Sequence, residues 1–147
     1  MPYTISVYTG DVKNADTKSK VFIELFGEHR DESSGRIMLA DGEFKRGKID
    51  RLTIDVPKML SPLSRVLIGH DNSGGDWFLD RVDVECPMIG MKQVFPCGKW
   101  FSKEVDDGRL ERILKEDTSL REIRKSQAVW NVWVYTSNLK YAGMILI

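Results

Sequence analysis

Hydrophobic and polar residues alternate with a period of two along most of this chain. Tyr3, Ile5, Val7 and Thr9 alternate with Thr4, Ser6 and Tyr8, and Val21, Ile23 and Leu25 with Phe22, Glu24 and Phe26. The rhythm returns in Leu52, Ile54 and Val56, and again in Val82, Val84 and Cys86. Such alternation marks strands with one face in a core and one face in water. Shorter runs over 36–40, 64–70, 92–97 and 99–104 fit the same pattern. Turn formers separate them: Gly27, Ser34-Gly35, Asp41-Gly42, Arg46-Gly47, Ser73-Gly74-Gly75 and Gly90. About eight strands with no helix between them predict an all-β sandwich or barrel. The stretch from Pro57 to Leu63 reads as a loop crossing between sheets, because its prolines cannot sit in a central strand. After the turn Asp106-Asp107-Gly108, Leu110, Ile113 and Leu114 have helical spacing, yet Leu110 to Leu114 also suits a last short strand.

The first strand has an echo. Trp130 to Gly143 aligns without a gap on Tyr3 to Asp16, so that Val7, Tyr8, Thr9, Lys13 and Ala15 recur as Val134, Tyr135, Thr136, Lys140 and Ala142. A fixed internal period is the mark of a repeat array. Three parts are expected: a sandwich over 1–114, a charged linker over 115–129, and the truncated start of the next repeat over 130–147.

Composition narrows the function. The 22 basic residues balance the 22 acidic ones, which disfavours nucleic acid as a partner. No apolar stretch approaches the roughly 18 residues of a membrane span. The first ten residues do not read as a signal peptide. Two cysteines, Cys86 and Cys97, do not make a disulfide framework. Together these predict a reducing, cytoplasmic setting.

Several motifs occur in a recognisable order. They are the Tyr3-to-Gly27 opening, a strand ending in His70-Asp71, the run Trp77-Phe78-Leu79-Asp80-Arg81-Val82, and the closing Val94-Phe95-Pro96-Cys97-Gly98-Lys99-Trp100-Phe101. Over about residues 3–114 this resembles the PLAT (lipoxygenase-homology) domain. The resemblance implies eight strands in two four-stranded antiparallel sheets. It also implies docking to membrane lipid headgroups or a membrane-associated protein, often with calcium, beside neighbouring repeats of the same chain.

Nothing in the sequence points to catalysis. Only His29 and His70 are present, too few for lipoxygenase iron, and no nucleophile elbow, phosphate loop or zinc spacing occurs. Calcium needs six to eight oxygens. The first loop offers Asp11, Asn14 and Asp16, and the loop after the fifth strand offers Asp71, Asn72 and Asp76. Asn14, Asp16, Asp71, Asn72 and Asp76 are therefore the candidate metal ligands, with Asp31 and Glu32 as further donors. The same residue types are common turn formers. In the resembled family an A-G-T-D segment serves the metal; here it reads Ala15-Asp16-Thr17-Lys18, with a cation where a carboxylate is usual. Met59, Leu60, Trp77 and Phe78 are the candidate lipid or partner contacts, aided by Lys13, Lys18, Lys45, Arg46 and Lys48. Trp77 also matches the family's structural tryptophan, Trp100 reads as core, and Met59-Leu60 could equally plug one end of the sandwich. A protein adaptor that binds neither lipid nor calcium is the alternative function.

Overall fold

A computed structural model describes residues 1–29 and 32–124 of the chain. Asp31, the end of the expected linker at 125–129 and the restarted repeat at 130–147 lie outside the described residues.

The strands are β1 (Pro2–Thr9), β2 (Val21–Gly27), β3 (Ile37–Met38), β4 (Ile49–Asp55), β5 (Leu63–His70), β6 (Trp77–Cys86), β7 (Met91–Phe101), β8 (Glu111–Lys115) and β9 (Glu122–Ile123). They form two antiparallel sheets, β4-β1-β6-β7-β9 and β3-β2-β5-β8. The expected sandwich is present, and the two-residue β9 makes one sheet five strands wide. Leu110 to Leu114 resolves as strand, with Arg112 and Leu114 turned inward.

Two runs expected as separate strands, 92–97 and 99–104, are one strand, β7. Gly98 adopts a left-handed φ of 66°, so the turn-like sequence makes a kink inside a continuous ladder. The inward residues of β6 explain the kink. Trp77 and Leu79 alternate regularly, but the next inward residue is Val82, three positions on. Asp80 absorbs the odd residue: Tyr8 pairs Arg81 while Thr9 pairs Leu79. On the other side, Cys97 and Gly98 together stand opposite Asp80. This bulge lets Trp77, Leu79, Val82, Val84 and Cys86 all face the core. The two cysteines therefore lie about 20 Å apart along the hairpin, at roughly 3.4 Å per residue, and both are free thiols.

The core fills the space between the sheets with Tyr3, Ile5, Val7, Ile23, Leu25, Val66, Ile68, Trp77, Val82, Phe95 and Phe101, among others. Leu60, a candidate surface contact, is buried there instead. Its amide and that of Ser61 donate to the buried Tyr3 hydroxyl at 2.8 and 3.1 Å, so this loop closes one end of the sandwich. Met59 beside it stays exposed.

The expected linker begins too early at 115. Residues 116–124 pack on the domain. Glu116 accepts from Gln93 Nε2 at 2.8 Å and from Arg121 Nε at 2.8 Å. Asp117 N donates to Val94 O, and Arg124 N to Gly90 O. Gln93 is wholly buried and joins the sheets. Its Oε1 accepts from Leu63 N at 2.8 Å, and its Nε2 donates to Leu63 O at 3.0 Å.

The register fixes which loops share an end. Val21 pairs His70, Thr9 pairs Leu79, Trp77 pairs Phe101 and Gly69 pairs Glu111. The loops 10–20, 39–48, 71–76 and 102–110 therefore gather at one end, called here the loop end. Met1 and Arg124 lie at the other. Among the described residues no helix is long and apolar enough to cross a membrane.

Gln93→Leu keeps the volume but leaves both Leu63 backbone groups without their partner and takes one hydrogen bond from Glu116. Urea unfolding should show a loss of about 2–4 kcal/mol, since each orphaned buried group costs about 1–3 kcal/mol.

Candidate binding site at the loop end

The loop end is built by short polar bonds between loops. Thr17 and Ser19, both buried, donate their hydroxyls to Gly75 O at 2.9 and 3.1 Å. Ser19 Oγ also accepts from Gly74 N at 2.8 Å. A side chain on Gly74 would run into the Lys18 and Ser19 backbone, so only glycine permits this approach. Phe78 N donates to Ala15 O at 3.0 Å and Gly10 N to Phe78 O at 2.9 Å. These bonds bring the 10–20 loop against the start of β6.

The result is a cavity of about 500 Å³ lined by Lys13, Asn14, Asp16, Gly75, Asp76, Trp100 and Val105. Asn14, Asp16 and Asp76 are thus brought together on one cavity. None of their side chains enters a hydrogen bond or ion pair with another described residue. Lys13 lies among them, and Arg46 is held by Asp11 at 3.0 Å.

Asp71 and Asn72, also expected as metal ligands, do other work. Asp71 accepts from Ser73 Oγ at 2.6 Å, Ser73 N at 3.0 Å and Lys20 N at 3.0 Å. The Ser73 hydroxyl, then its amide, holds the Asp71 carboxyl down at about 2. Asn72 takes a left-handed φ of 60° and donates its amide to His70 Nδ1 at 2.9 Å. These two residues shape the loop and do not line the cavity. Among the described residues no three His, Cys, Asp or Glu side chains are grouped to hold a metal.

The donor set still matches a hard cation in kind. Two carboxylates and an amide line one cavity and bond to no other described residue. They supply fewer than the six to eight oxygens calcium takes, which leaves the rest to carbonyls and water. The Ala15 and Gly75 carbonyls already accept protein hydrogen bonds.

The aromatics divide between core and surface, Trp77 following its structural alternative and Trp100 departing from the core expected of it. Trp77, a candidate contact, is fully buried. Its Nε1 donates to Thr9 Oγ1 at 3.0 Å, and its ring packs edge-on to Phe44 at 5.5 Å. Phe44 reaches it because Asp50 holds the Glu43 and Phe44 amides, each at 2.9 Å, in a left-handed turn. Trp100, read as core, is half-buried on the outer face, edge-on to Phe78 at 5.2 Å. Phe78 and Trp100 form the aromatic rim of the loop end, and Met59 stands at the opposite end. Thr17 and Trp100 stand in motifs of the sequence that do not reveal these roles, and Ser19 stands in none; only the pairing of Phe78 with Trp100 reveals the rim.

The last wall is fixed by Arg112. Its guanidinium, nearly buried, grips Asp107 at 2.8 and 2.6 Å and donates to Trp100 O at 2.8 Å. Trp100 N donates to Asp106 Oδ2 at 3.0 Å. The hydrogen bonds from Arg112 hold the Asp107 carboxyl at about 2. His70 is structural: Nδ1 accepts an amide, so Nε2 carries the proton and donates to Phe101 O at 2.8 Å. Burial pushes the Cys97 thiol up to about 11, far from a nucleophilic thiolate.

A β-sandwich with no α-helix among its described residues, and with uncommitted polar side chains on loops at one end, defines a binding module. The chain belongs to the family described as the PLAT/LH2 domain, which matches residues 3–115. It is 43% identical over 143 residues to the mouse lipoxygenase homology domain-containing protein 1, covering 96% of this chain and 7% of that protein. Human polycystin-1-like protein 3 is 32% identical over 114 residues, 76% of this chain and 7% of the relative. Among solved structures, the coral 8R-lipoxygenase superposes with a TM-score of 0.64 at 20% identity, over 79% of this chain and 17% of that one. Its description reports calcium activation through a C2-like domain. The chain thus spans a small part of each relative. The family is found in lipoxygenases and in polycystin-like proteins, which supports a lipid- or protein-binding module.

Asp107 contributes stability that is fully present above its unfolded value near 3.8 and is lost as pH falls through about 2. Asp107→Asn should therefore flatten the acid decline of the urea midpoint between these limits and lower the midpoint at neutral pH. A decline as steep as in the parent chain would show that the Arg112 grip is not what acid breaks.

Proposed function

We propose that this chain is a non-catalytic docking module of a tandem PLAT array, which meets a membrane or a membrane-associated protein with its loop end, assisted by calcium. The observation that carries this reading is the convergence of Asn14, Asp16 and Asp76, free of other bonds, on a cavity beside the Phe78–Trp100 rim. A cation held there neutralises the two carboxylates. It thereby lets Lys13 and the aromatic rim approach an anionic surface that the carboxylates otherwise repel. The setting this reading assigns is the inner face of the plasma membrane.

The array reading draws support from the alignment lengths. Polycystin-1-like protein 3 matches over little more than the domain, whereas the 143-residue match is too long to fit within residues 3–115. Similarity thus continues past the sandwich, where the sequence restarts. Linked repeats gain avidity from many weak sites. The same observation favours the second reading, a protein adaptor that uses neither lipid nor calcium.

Co-sedimentation with phosphatidylserine vesicles, with calcium and with chelator, separates the two. The expected result is binding that calcium strengthens at least ten-fold. Asp16→Asn with Asp76→Asn should abolish the calcium increment, and Phe78→Ala should weaken binding in both conditions. No binding in either condition would favour the adaptor. A calcium increment that survives the double substitution would remove the metal from this cavity.

A further inference from the structure

The 10–20 loop borders two cavities at the loop end. Asp16 lines the one already described, and Lys18, two residues on, lines a second. The second cavity encloses about 420 Å³ between the start of β2, β3 and the turn that follows β3. That volume lies within the range of about 300–1,000 Å³ typical of small-molecule sites. Its apolar walls come from Val21, Leu39 and Phe44, all buried, and from the exposed Met38 and Ala40. These walls are held in place. Leu39 N donates to Val21 O at 2.9 Å, and Gly42 N donates to Leu39 O at 3.3 Å. A side chain on Gly42 would collide with the Phe44 ring, which is braced in turn against Trp77.

The charge of this cavity is opposite to that of the first. No acidic side chain lines it, whereas Lys18 and Lys20 both do. Neither ammonium forms an ion pair or a hydrogen bond with a described residue. The acids of the adjoining loops do not fill this role. Asp71 feels the Lys20 charge but takes its hydrogen bonds from Ser73 and from the Lys20 backbone amide. Glu43 meets Lys45 at 3.6 Å, and Asp41 does not line the cavity. Apolar walls with two unpaired cations beside them are complementary to an acyl chain that ends in an anion. The walls take the chain out of water, and the ammonium groups give the anion charge-assisted hydrogen bonds.

We propose that the cavity between residues 18–21 and 38–44 binds a single-chain lipid with an anionic headgroup, its chain against Val21, Leu39 and Phe44 and its headgroup on Lys18 and Lys20. This site goes beyond the docking reading above, since it uses neither the cation cavity nor the Phe78–Trp100 rim.

Titration of the whole chain with decanoyl lysophosphatidic acid, below its micelle concentration and with chelator present, tests the site without membrane or metal. Amide signals of residues 18–21 and 38–44 should shift on binding. Glycerol phosphate, the headgroup alone, and decanol, the chain alone, should each bind about ten-fold more weakly. Lys18→Ala with Lys20→Ala should weaken the lysophosphatidic acid about ten-fold and leave decanol unchanged. Ala40→Trp should weaken both by filling the cavity. All three positions are exposed, so the fold is retained. Absence of binding would overturn the proposal, as would affinities that none of these variants changes. Equal affinity for decanol and the lysophosphatidic acid would also overturn it. Shifts centred on Lys13, Asp76 and Trp100 would do the same, by placing the lipid in the other cavity. The variants leave the cation cavity and the rim untouched, so calcium-dependent vesicle docking stands or falls separately.

Discussion

One hydrogen bond holds the loop-bearing end of this sandwich shut. His70, the last residue of β5, donates through Nε2 to the Phe101 carbonyl at the end of β7, and so links the two sheets across their interior. Trp77 and Phe101 pack around it with their rings tilted at 50° and ring centres 5.2 Å apart. A buried imidazole is tolerated here because both nitrogens are satisfied, one by Phe101 and one by the Asn72 amide. Four loops spring from the strands so joined. Without that link the sheet ends could part, and the 71–76 and 102–110 loops would lose their fixed separation. Asn72 ties the arrangement to function, since the loop that carries Asp76 starts from the histidine's other nitrogen.

The site shows how a neutral chain presents a charged surface. Most acidic groups near the loop end are spent on structure. Asp50 caps a turn, Asp71 closes one, Asp11 holds Arg46, and Asp106 and Asp107 fasten the last loop. Asp16, Asp41, Asp76 and Glu104 bond to no other described residue, and of these Asp16 and Asp76 line the cavity. The distinction between spent and unspent acids comes from hydrogen bonding, and an acid count alone misses it.

This is also where the sequence ran out. Alternation identified the strands because each buries one face, and the irregular spacing of Trp77, Leu79, Val82 and Val84 even encoded the bulge at Asp80. The merging of two expected strands into β7 was hidden, because Pro96, Cys97 and Gly98 look like a turn and only the partner strand shows that they are a kink. Asp71 and Asp76 were equally good ligands on paper. Their division depends on Ser73 and Lys20, whose amides claim one of them. Trp77 and Trp100 differ only in the face of the sheet they occupy, and the bulge decides which residues face inward. The tail beyond β8 read as linker because it is charged. Two of those charges, Glu116 and Arg121, pair with each other, and Glu116 also bonds to the buried Gln93, so they fasten the tail to the core.

The chain enters and leaves this domain at the same end. Met1 is held by Asp55 at the start of β1, and Arg124 leaves beside β9, three strands away in the same sheet. At ordinary strand spacing that is about 15 Å. A unit with neighbouring termini can be spliced into a host as a pendant, because the host's chain need only detour and return. The host then keeps its own continuity, and the grafted unit projects its loops outward whatever lies on either side. That property suits a domain found within proteins as different in build as a lipoxygenase and a polycystin relative, of which it forms 17% and 7%.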